Sequence, residues 1–379
     1  MPEQPAVLIA AISGRALAAS ARRGGFVPLV ADCFGDDDTL ALADAHARVS
    51  LDAERGIDDA ELRNALERLA GAQHSLGIVC GTGFEDRPHL LAWMARRWRL
   101  FGNTPETIAR LKDPLCFAAL CRSREIPHPL TRTERPADTA DCVAKRMGGA
   151  GGTHVRRLLG PDASGDTTYY QRRVTGHAIS ALVLGNGSAA IVLGFSAQWP
   201  APAPGRPFRY GGAVRPAPLT RELNAKLVNA VQRLASAVPL IGLNSFDFMV
   251  DGDAFWLLEI NPRPGATLDI FEPRQHSLFG LHVAACRGAL PEKAPNLADA
   301  AAACIVYADR ELRSVPRLAW PAWAADRQRS GSSLRSGDPF CTVLACASTP
   351  DAASEIVKQR AAAVLAMLDA HRHDELAAH

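Results

Sequence analysis

The chain lacks any marked excess of charge: 42 Lys and Arg stand against 40 Asp and Glu, a formal net charge of +2 over 379 residues. A general grip on nucleic acid rests on many uncompensated cations, so none is expected. Aromatic residues are only 6%, with 6 Trp and 4 Tyr, which offers no base-stacking platform. The nine cysteines (33, 80, 116, 121, 142, 286, 304, 341 and 346) are odd in number and form no C-x-x-C pair. That spacing speaks against a disulfide framework or a zinc site and predicts reduced thiols in a cytoplasmic protein. The chain also has no long apolar run fit for a membrane. Its longest uncharged stretch, Ala178 to Gly205, carries Gly185, Asn186, Gly187 and several prolines. The opening MPEQPAVLIAAISGRALAAS has no basic start and is interrupted by Arg15, so it reads as a first strand and not as a leader.

What is present is core material: 47% hydrophobic and 22% charged residues. At roughly 100–200 residues per domain, the length predicts two or three domains. The opening reads as strand AVLIAAI, turn Ser13-Gly14-Arg15, an Ala/Arg-rich helix, a Gly24-Gly25 stop and strand FVPLVAD. Alternating strands and helices predict a doubly wound parallel sheet. Asp32 stands where a ribose-binding acid would stand in a dinucleotide fold, but one glycine followed by Arg15 replaces the G-x-G-x-x-G that binding requires. LGIVCGTG is a further strand ending in a Gly81-Thr82-Gly83 loop. Glu85 beside it either touches substrate, as loops at strand carboxyl ends do, or closes an ordinary turn. Asn103-Thr104-Pro105-Glu106 predicts a helix start, with one helix running to near Ile126 and a domain boundary at about residue 104.

From Cys142 to Phe195 strands and tight turns follow: CVAK, a glycine turn, HVRRLL, YYQRRV and ISALVLGNGSAAIVLGF. Asn186-Gly187 predicts a hairpin with a type I′ turn. WPAPAPGRPFRYGGAV reads as a long Pro/Gly loop, a helix is expected from about Thr220 to Val238, and SFDFMV pairs with AFWLLEINPRPG through an Asp251-Gly252-Asp253 turn. The chain is expected to divide at 1–104, 105–290 and 291–379, with a glycine-loop lobe at about 140–200, a second lobe at about 201–290 and a small closing subdomain.

Two constellations carry chemistry. Lys145 ends an apolar strand and precedes MGGAGGTHV, a turn whose backbone N–H groups can approach phosphate oxygens beside a compact cation; a flexible hairpin tip has the same composition. Asp247, Glu259 and Asn261 have the parity to share one face of a hairpin. Two carboxylates and an amide oxygen are hard ligands suited to Mg²⁺, and Arg263 follows on the same period to meet an anion. The plainer alternative is a polar hairpin face with a surface ion pair. The apolar Phe255, Trp256, Leu257, Leu258 and Ile260 weigh against it, because unpaired carboxylates in a buried strand are costly.

In order, Lys145 with its glycine turn, Gln171-Arg172-Arg173-Val174-Thr175-Gly176, Asp247 and E-I-N-P-R resemble the ATP-grasp superfamily of carboxylate–amine and carboxylate–thiol ligases over roughly residues 1–290. The resemblance implies an α/β fold: a doubly wound parallel-sheet domain ahead of two α+β lobes that clasp ATP. It implies that Lys145 contacts ATP phosphates under a lid of Gly148, Gly149, Gly151 and Gly152. Gln171, Arg172 and Val174 would line the adenine pocket, Asp247, Glu259 and Asn261 would hold Mg²⁺, and Arg263 would stabilise an acyl phosphate. The family often has Glu where Gln171 stands. An Asp-Lys pair common in the helix before the second lobe reads Asp113-Pro114, with Lys112 the candidate to reach the α-phosphate instead.

The chemistry implied is carboxylate activation by ATP followed by amide formation with an amine, and no cysteine is needed as nucleophile. SGRALAASARRGG and RYGGAVRP look closest to ligases that join glutamate to a tyrosine-, tyramine- or pterin-type precursor of one-carbon cofactors of the methanofuran and tetrahydromethanopterin kind. The alternatives are a biotin-carboxylase-like enzyme, for which the chain shows no biotin-attachment segment, and an ATP-binding regulatory protein without activity. Expected partners are a small carboxylate and an amine, with Arg15 and Glu85 facing the acceptor, and a second copy meeting through the N-terminal domain. Neither nucleic acid nor membrane is expected.

Overall fold

The computed structural model describes residues 4–52, 56–158 and 167–377. Strands Ala6–Ala11, Val27–Asp32, Ala45–Arg48, Ser75–Cys80 and Leu100–Phe101 form a five-stranded parallel sheet, with Ala6–Ala11 between Val27–Asp32 and Ser75–Cys80. Every residue of AVLIAA is buried. That is the reason for its unbroken apolar run: helices cover both faces of a parallel sheet. Asp32 at the end of its strand accepts the N–H groups of Gly14 and Gly35, each at 2.9 Å, and bonds His46 Nε2 at 2.9 Å. Its oxygens therefore serve the turn, not a ribose.

The single helix expected after Thr104 is two. Pro105–Lys112 ends at Asp113, whose carboxylate caps a second helix, Pro114–Ser123, by accepting from Leu115 N at 3.0 Å and Cys116 N at 2.7 Å. Pro114 supplies no N–H to continue the first helix and suits the first turn of the second.

A four-stranded sheet follows, with Cys142–Arg146 between Val155–Arg157 and Thr168–Arg172 and with Thr131–Arg132 at its edge. Leu159, the last residue of HVRRLL, lies outside the described residues. An eight-stranded sheet is built on Ile241–Asp251, which pairs with Ala254–Asn261 on one side and His177–Asn186 on the other. His177–Asn186 thus joins the later strands and not the glycine lobe in which the sequence placed it. Residues beyond 291 do not form a sheet of their own either: Ala300–Tyr307 pairs with Tyr210–Arg215 and adds two further strands to the same sheet. Pro350–Ala377 is the closing helix and packs on it.

Two turns differ from expectation. The Asn186 hairpin has a longer turn than a type I′ would give, because Gly185 pairs Ala190 and the Asn186 side chain accepts from Ser188 N and Ala189 N at 3.1 and 2.8 Å. The Pro/Gly loop is also shorter than its composition suggested. Ala190–Pro200 and Tyr210–Arg215 extend as paired strands into both its ends, so Tyr210-Gly211-Gly212 is strand.

Candidate active site

The second hairpin carries the polar centre. Asp247 stands opposite Glu259 and Ser245 opposite Asn261, so alternation along the pleat brings both carboxylates and the amide to one face. Asn261 Nδ2 donates to Asp247 Oδ2 at 2.8 Å and to Glu259 Oε1 at 3.2 Å, while Ser180 Oγ donates to Asp247 Oδ1 at 2.6 Å. Lys112 closes the cluster from the end of its helix, with Nζ 2.7 Å from Asn261 Oδ1 and 3.5 Å from Glu259 Oε2. The short helix stop at Asp113 is what leaves this lysine free to turn inward.

Burial and the facing Glu259 charge push Asp247 up to about 6. Burial would raise Glu259 too, but Lys112, Lys145 and His154 outweigh it and hold that carboxylate at about 2. Two facing carboxylates that repel each other are a centre to which a divalent cation would add charge balance.

Beside the hairpin lies a cleft of about 390 Å³, lined by Lys112, His128, Thr131, Gly148, Gly149, His154, Tyr169, Gln171 and Glu259 among others. Lys145 is buried, and desolvation together with Lys112 lowers its ammonium below the ordinary lysine value against the opposing pull of Glu259 and Asp247. The turn after it needs its glycines. A side chain at Gly152 would meet the Phe208 carbonyl oxygen at 1.8 Å, and one at Gly149 would meet the His154 ring at 2.2 Å. The Gly151 carbonyl accepts Tyr210 N at 2.9 Å, so the turn rests on the start of the Tyr210 strand.

Gln171 is buried, and its Nε2 donates to Thr131 Oγ1 at 3.1 Å, the hydroxyl that also bonds His128 Nε2 at 3.0 Å. Arg172 is exposed and Val174 half-buried, and neither side chain lines the cleft: Arg172 follows an inward Gln171 on the strand and points away, and Val174 lies past the strand's end.

Arg263 sits at the other end. Its Nε donates to Glu85 Oε1 at 2.7 Å, and Glu85 Oε2 accepts from Gly83 N at 2.8 Å and Phe84 N at 3.0 Å. Burial alone would raise Glu85, yet Arg263 and Lys112 keep it below the ordinary value. The loop after Ser75–Cys80 therefore meets the E-I-N-P-R motif directly. Arg15, the other residue expected to face an acceptor, is 5% exposed and fully engaged with Asp269 and Asp326. His128, Thr131 and His154 also belong to the cleft and were not singled out from the sequence. His154 lies in the MGGAGGTHV motif, whereas His128 and Thr131 carry no spacing signal of their own.

Residues 115–267 match the ATP-grasp domain family. A stretch of 197 residues is 26% identical to the carbamoyl phosphate synthase large chain of Rubrobacter xylanophilus, spanning 45% of this chain and 18% of that one. Two solved structures share the fold over nearly the whole chain. The biotin carboxylase domain of Hydrogenobacter thermophilus 2-oxoglutarate carboxylase, bound to MgADP, ADP and bicarbonate, has a TM-score of 0.73 at 13% identity and covers 93% of this chain and 88% of its own. The N5-carboxyaminoimidazole synthetase of Staphylococcus aureus with ADP has a TM-score of 0.69 at 15% identity, covering 95% and 98%. With the cleft, the hairpin and the glycine turn in these positions, the chain carries an ATP-grasp domain and has the α/β fold of that superfamily.

Proposed function

We propose that the protein is an ATP-dependent carboxylate–amine ligase, forming an amide through an acyl phosphate. The observation that carries this reading is the cluster of Asp247, Glu259 and Asn261 around Lys112, opening on the cleft that holds the glycine turn. Its oxygens fit Mg²⁺: two carboxylates with unequal proton affinity and one amide supply few, hard ligands, as that ion takes when phosphates complete its shell. When bound, Mg²⁺ would neutralise charge on the ATP phosphates. Phosphoryl transfer asks little of a protein beyond position and charge.

Each side chain then has a task of its own. Lys145 and Lys112 meet phosphate oxygens, Gly148, Gly149, Gly151 and Gly152 close over them, and Gln171, with the Arg172 and Val174 backbone, lies along the base. Arg263, oriented by Glu85, faces the anionic acyl group. The glycine turn resting on the Tyr210 strand keeps water from an acyl phosphate while the amine arrives. For the substrates we infer glutamate and a tyrosine-, tyramine- or pterin-type one-carbon cofactor precursor, on the resemblance of the SGRALAAS and RYGGAVRP segments.

ADP release from the purified chain with Mg-ATP is the test, across amino acids with and without tyrosine or tyramine, beside bicarbonate and a Glu259→Ala control. Release that needs one acid and one amine, and is lost in the control by ~100-fold or more, roughly 2.7 kcal/mol of barrier, is the expected result. Release with bicarbonate alone would replace the ligase by a carboxylase. A chain that binds no Mg-ATP would end the reading.

A further inference from the structure

Gln171 is held by a chain of hydrogen bonds whose direction is fixed from its far end. His128 Nδ1 lies 2.7 Å from the Leu257 carbonyl oxygen, which only accepts, so Nδ1 carries a hydrogen. Burial, against the pull of that carbonyl, lowers His128 below the ordinary imidazole value, so the ring is neutral near pH 7 and its Nε2 is an acceptor. Thr131 Oγ1 stands 3.0 Å from this Nε2 and 2.9 Å from the Pro129 carbonyl oxygen. Two acceptors thus compete for the one hydroxyl hydrogen, and none is left for Gln171. In the 3.1 Å contact between Thr131 Oγ1 and the Gln171 amide, the amide is therefore the donor. The flipped amide would set the lone pairs of Oε1 against an oxygen with no hydrogen to give.

Locked in this way, the amide keeps its acceptor for the cleft. Gln171 lines the cleft, and its Oε1 meets no donor among the described residues, yet it is not sealed off from the open space. The strand register says what arrives there. Lys145 stands opposite Tyr169 and Val143 opposite Gln171, and the glycine turn follows Lys145. Along the cleft the order is glycine turn, Lys145, and then Gln171 one pleat period further, roughly 6–7 Å on. With phosphates at the first two, the base falls at the third. Adenine presents an amino group at its position 6, whereas a 6-oxopurine presents an oxygen there. Oε1 bonds the first and repels the second.

Resting on the ATP site proposed above, we infer that His128 and Thr131 are positioning residues that hold the Gln171 amide with Oε1 toward the base, so that the cleft selects 6-aminopurine over 6-oxopurine nucleotides. The polarity set at the Leu257 carbonyl passes through the imidazole and the hydroxyl to the amide, and neither intermediate needs to touch the nucleotide.

Calorimetry on the full chain with Mg-ATP and with Mg-ITP, whose bases differ at position 6 and the adjoining ring nitrogen, reads this preference as a ratio of affinities. The parent is expected to favour ATP by roughly 10- to 100-fold. Gln171→Leu removes the acceptor and Thr131→Val frees the amide to rotate, so in both the two affinities come within about threefold of each other. Thr131→Ser keeps the hydroxyl and with it the parent's ratio. A merely structural Thr131 would weaken both nucleotides together in Thr131→Val and leave the ratio unchanged, which overturns the inference. An unchanged ratio in Gln171→Leu overturns it too, whether or not Thr131→Val folds. A parent that binds Mg-ATP and Mg-ITP equally well also overturns it and leaves the ATP site standing. A parent that binds no Mg-ATP removes both readings together.

Discussion

Two regions of this molecule bury several carboxylates, and they settle the charge in opposite ways. Around Arg15, three acids are held by fixed donors. Its guanidinium grips Asp269 through Nη1 and Nη2, both at 2.6 Å, and Asp326 through Nε at 3.0 Å, while Asp38 accepts the N–H groups of Asp326 and Arg327, each at 2.9 Å. In the hairpin of Asp247 and Glu259, the Lys112 ammonium and one amide face two acids that also repel each other. The first arrangement is a fastener between the N-terminal sheet, the segment after E-I-N-P-R and the C-terminal residues. The second holds a charge imbalance open to a ligand. A planar, always-charged fork suits the first task and a compact charge on a flexible stem the second.

The contrast can be broken most forcefully at Arg15. Arg15→Ala leaves the half-buried Asp269 and Asp326 without their cation, and the expected cost in unfolding free energy is about 3 kcal/mol. Chemical denaturation should show that loss while the surviving folded fraction still binds Mg-ATP; Glu259→Ala should do the reverse, with stability kept and ADP formation gone. Loss of nucleotide binding in folded Arg15→Ala would mean the two regions are one site.

Asp36 sharpens the comparison. It is 1% exposed, both its carboxyl oxygens lack partners among the described residues, and burial, with Asp326, Asp32 and Asp38 nearby, pushes it up to about 8. The folded chain therefore keeps a proton that the unfolded chain releases near pH 4, so stability should fall as pH rises toward 8. The slope between pH 6.5 and 8 is at most about 1.4 kcal/mol per unit, and Asp36→Asn should flatten it in denaturation curves taken at several pH values.

The smallest effect belongs to the hairpin. Asp247→Asn removes one of two repelling charges, so without Mg²⁺ it should melt higher, by about 1 kcal/mol, and gain nothing from added Mg²⁺. A lower melting point would mean that the acid contributes more as an acceptor for Ser180 and Asn261 than it costs as a charge.

The legibility of these regions differs for the same reason that their chemistry does. Asp247, Glu259 and Asn261 lie on two strands joined by a tight turn, where a period of two and a short connection fix which side chains share a face. Their meeting was therefore readable from spacing. Arg15 meets Asp269 and Asp326 across 254 and 311 positions, and no local pattern encodes such a contact. The same limit hid the sharing of one sheet by His177–Asn186, Ile241–Asp251 and Ala300–Tyr307, since pairing among distant strands follows from which edges the whole fold leaves free. Local chemistry failed at Asp113-Pro114 only in part: both residues signal a helix start, yet the run around them is apolar enough to read as one helix.

By itself the sequence determined the parallel sheet of the first hundred residues, the hairpin at Asp251-Gly252-Asp253 and the shared face of the acids, because periodicity, turn residues and burial act over a few positions. Tertiary structure alone decided that Lys112 reaches Asn261, that Glu85 orients Arg263 and that Arg15 is enclosed among acids, because each of those contacts exists only where separate elements are packed together.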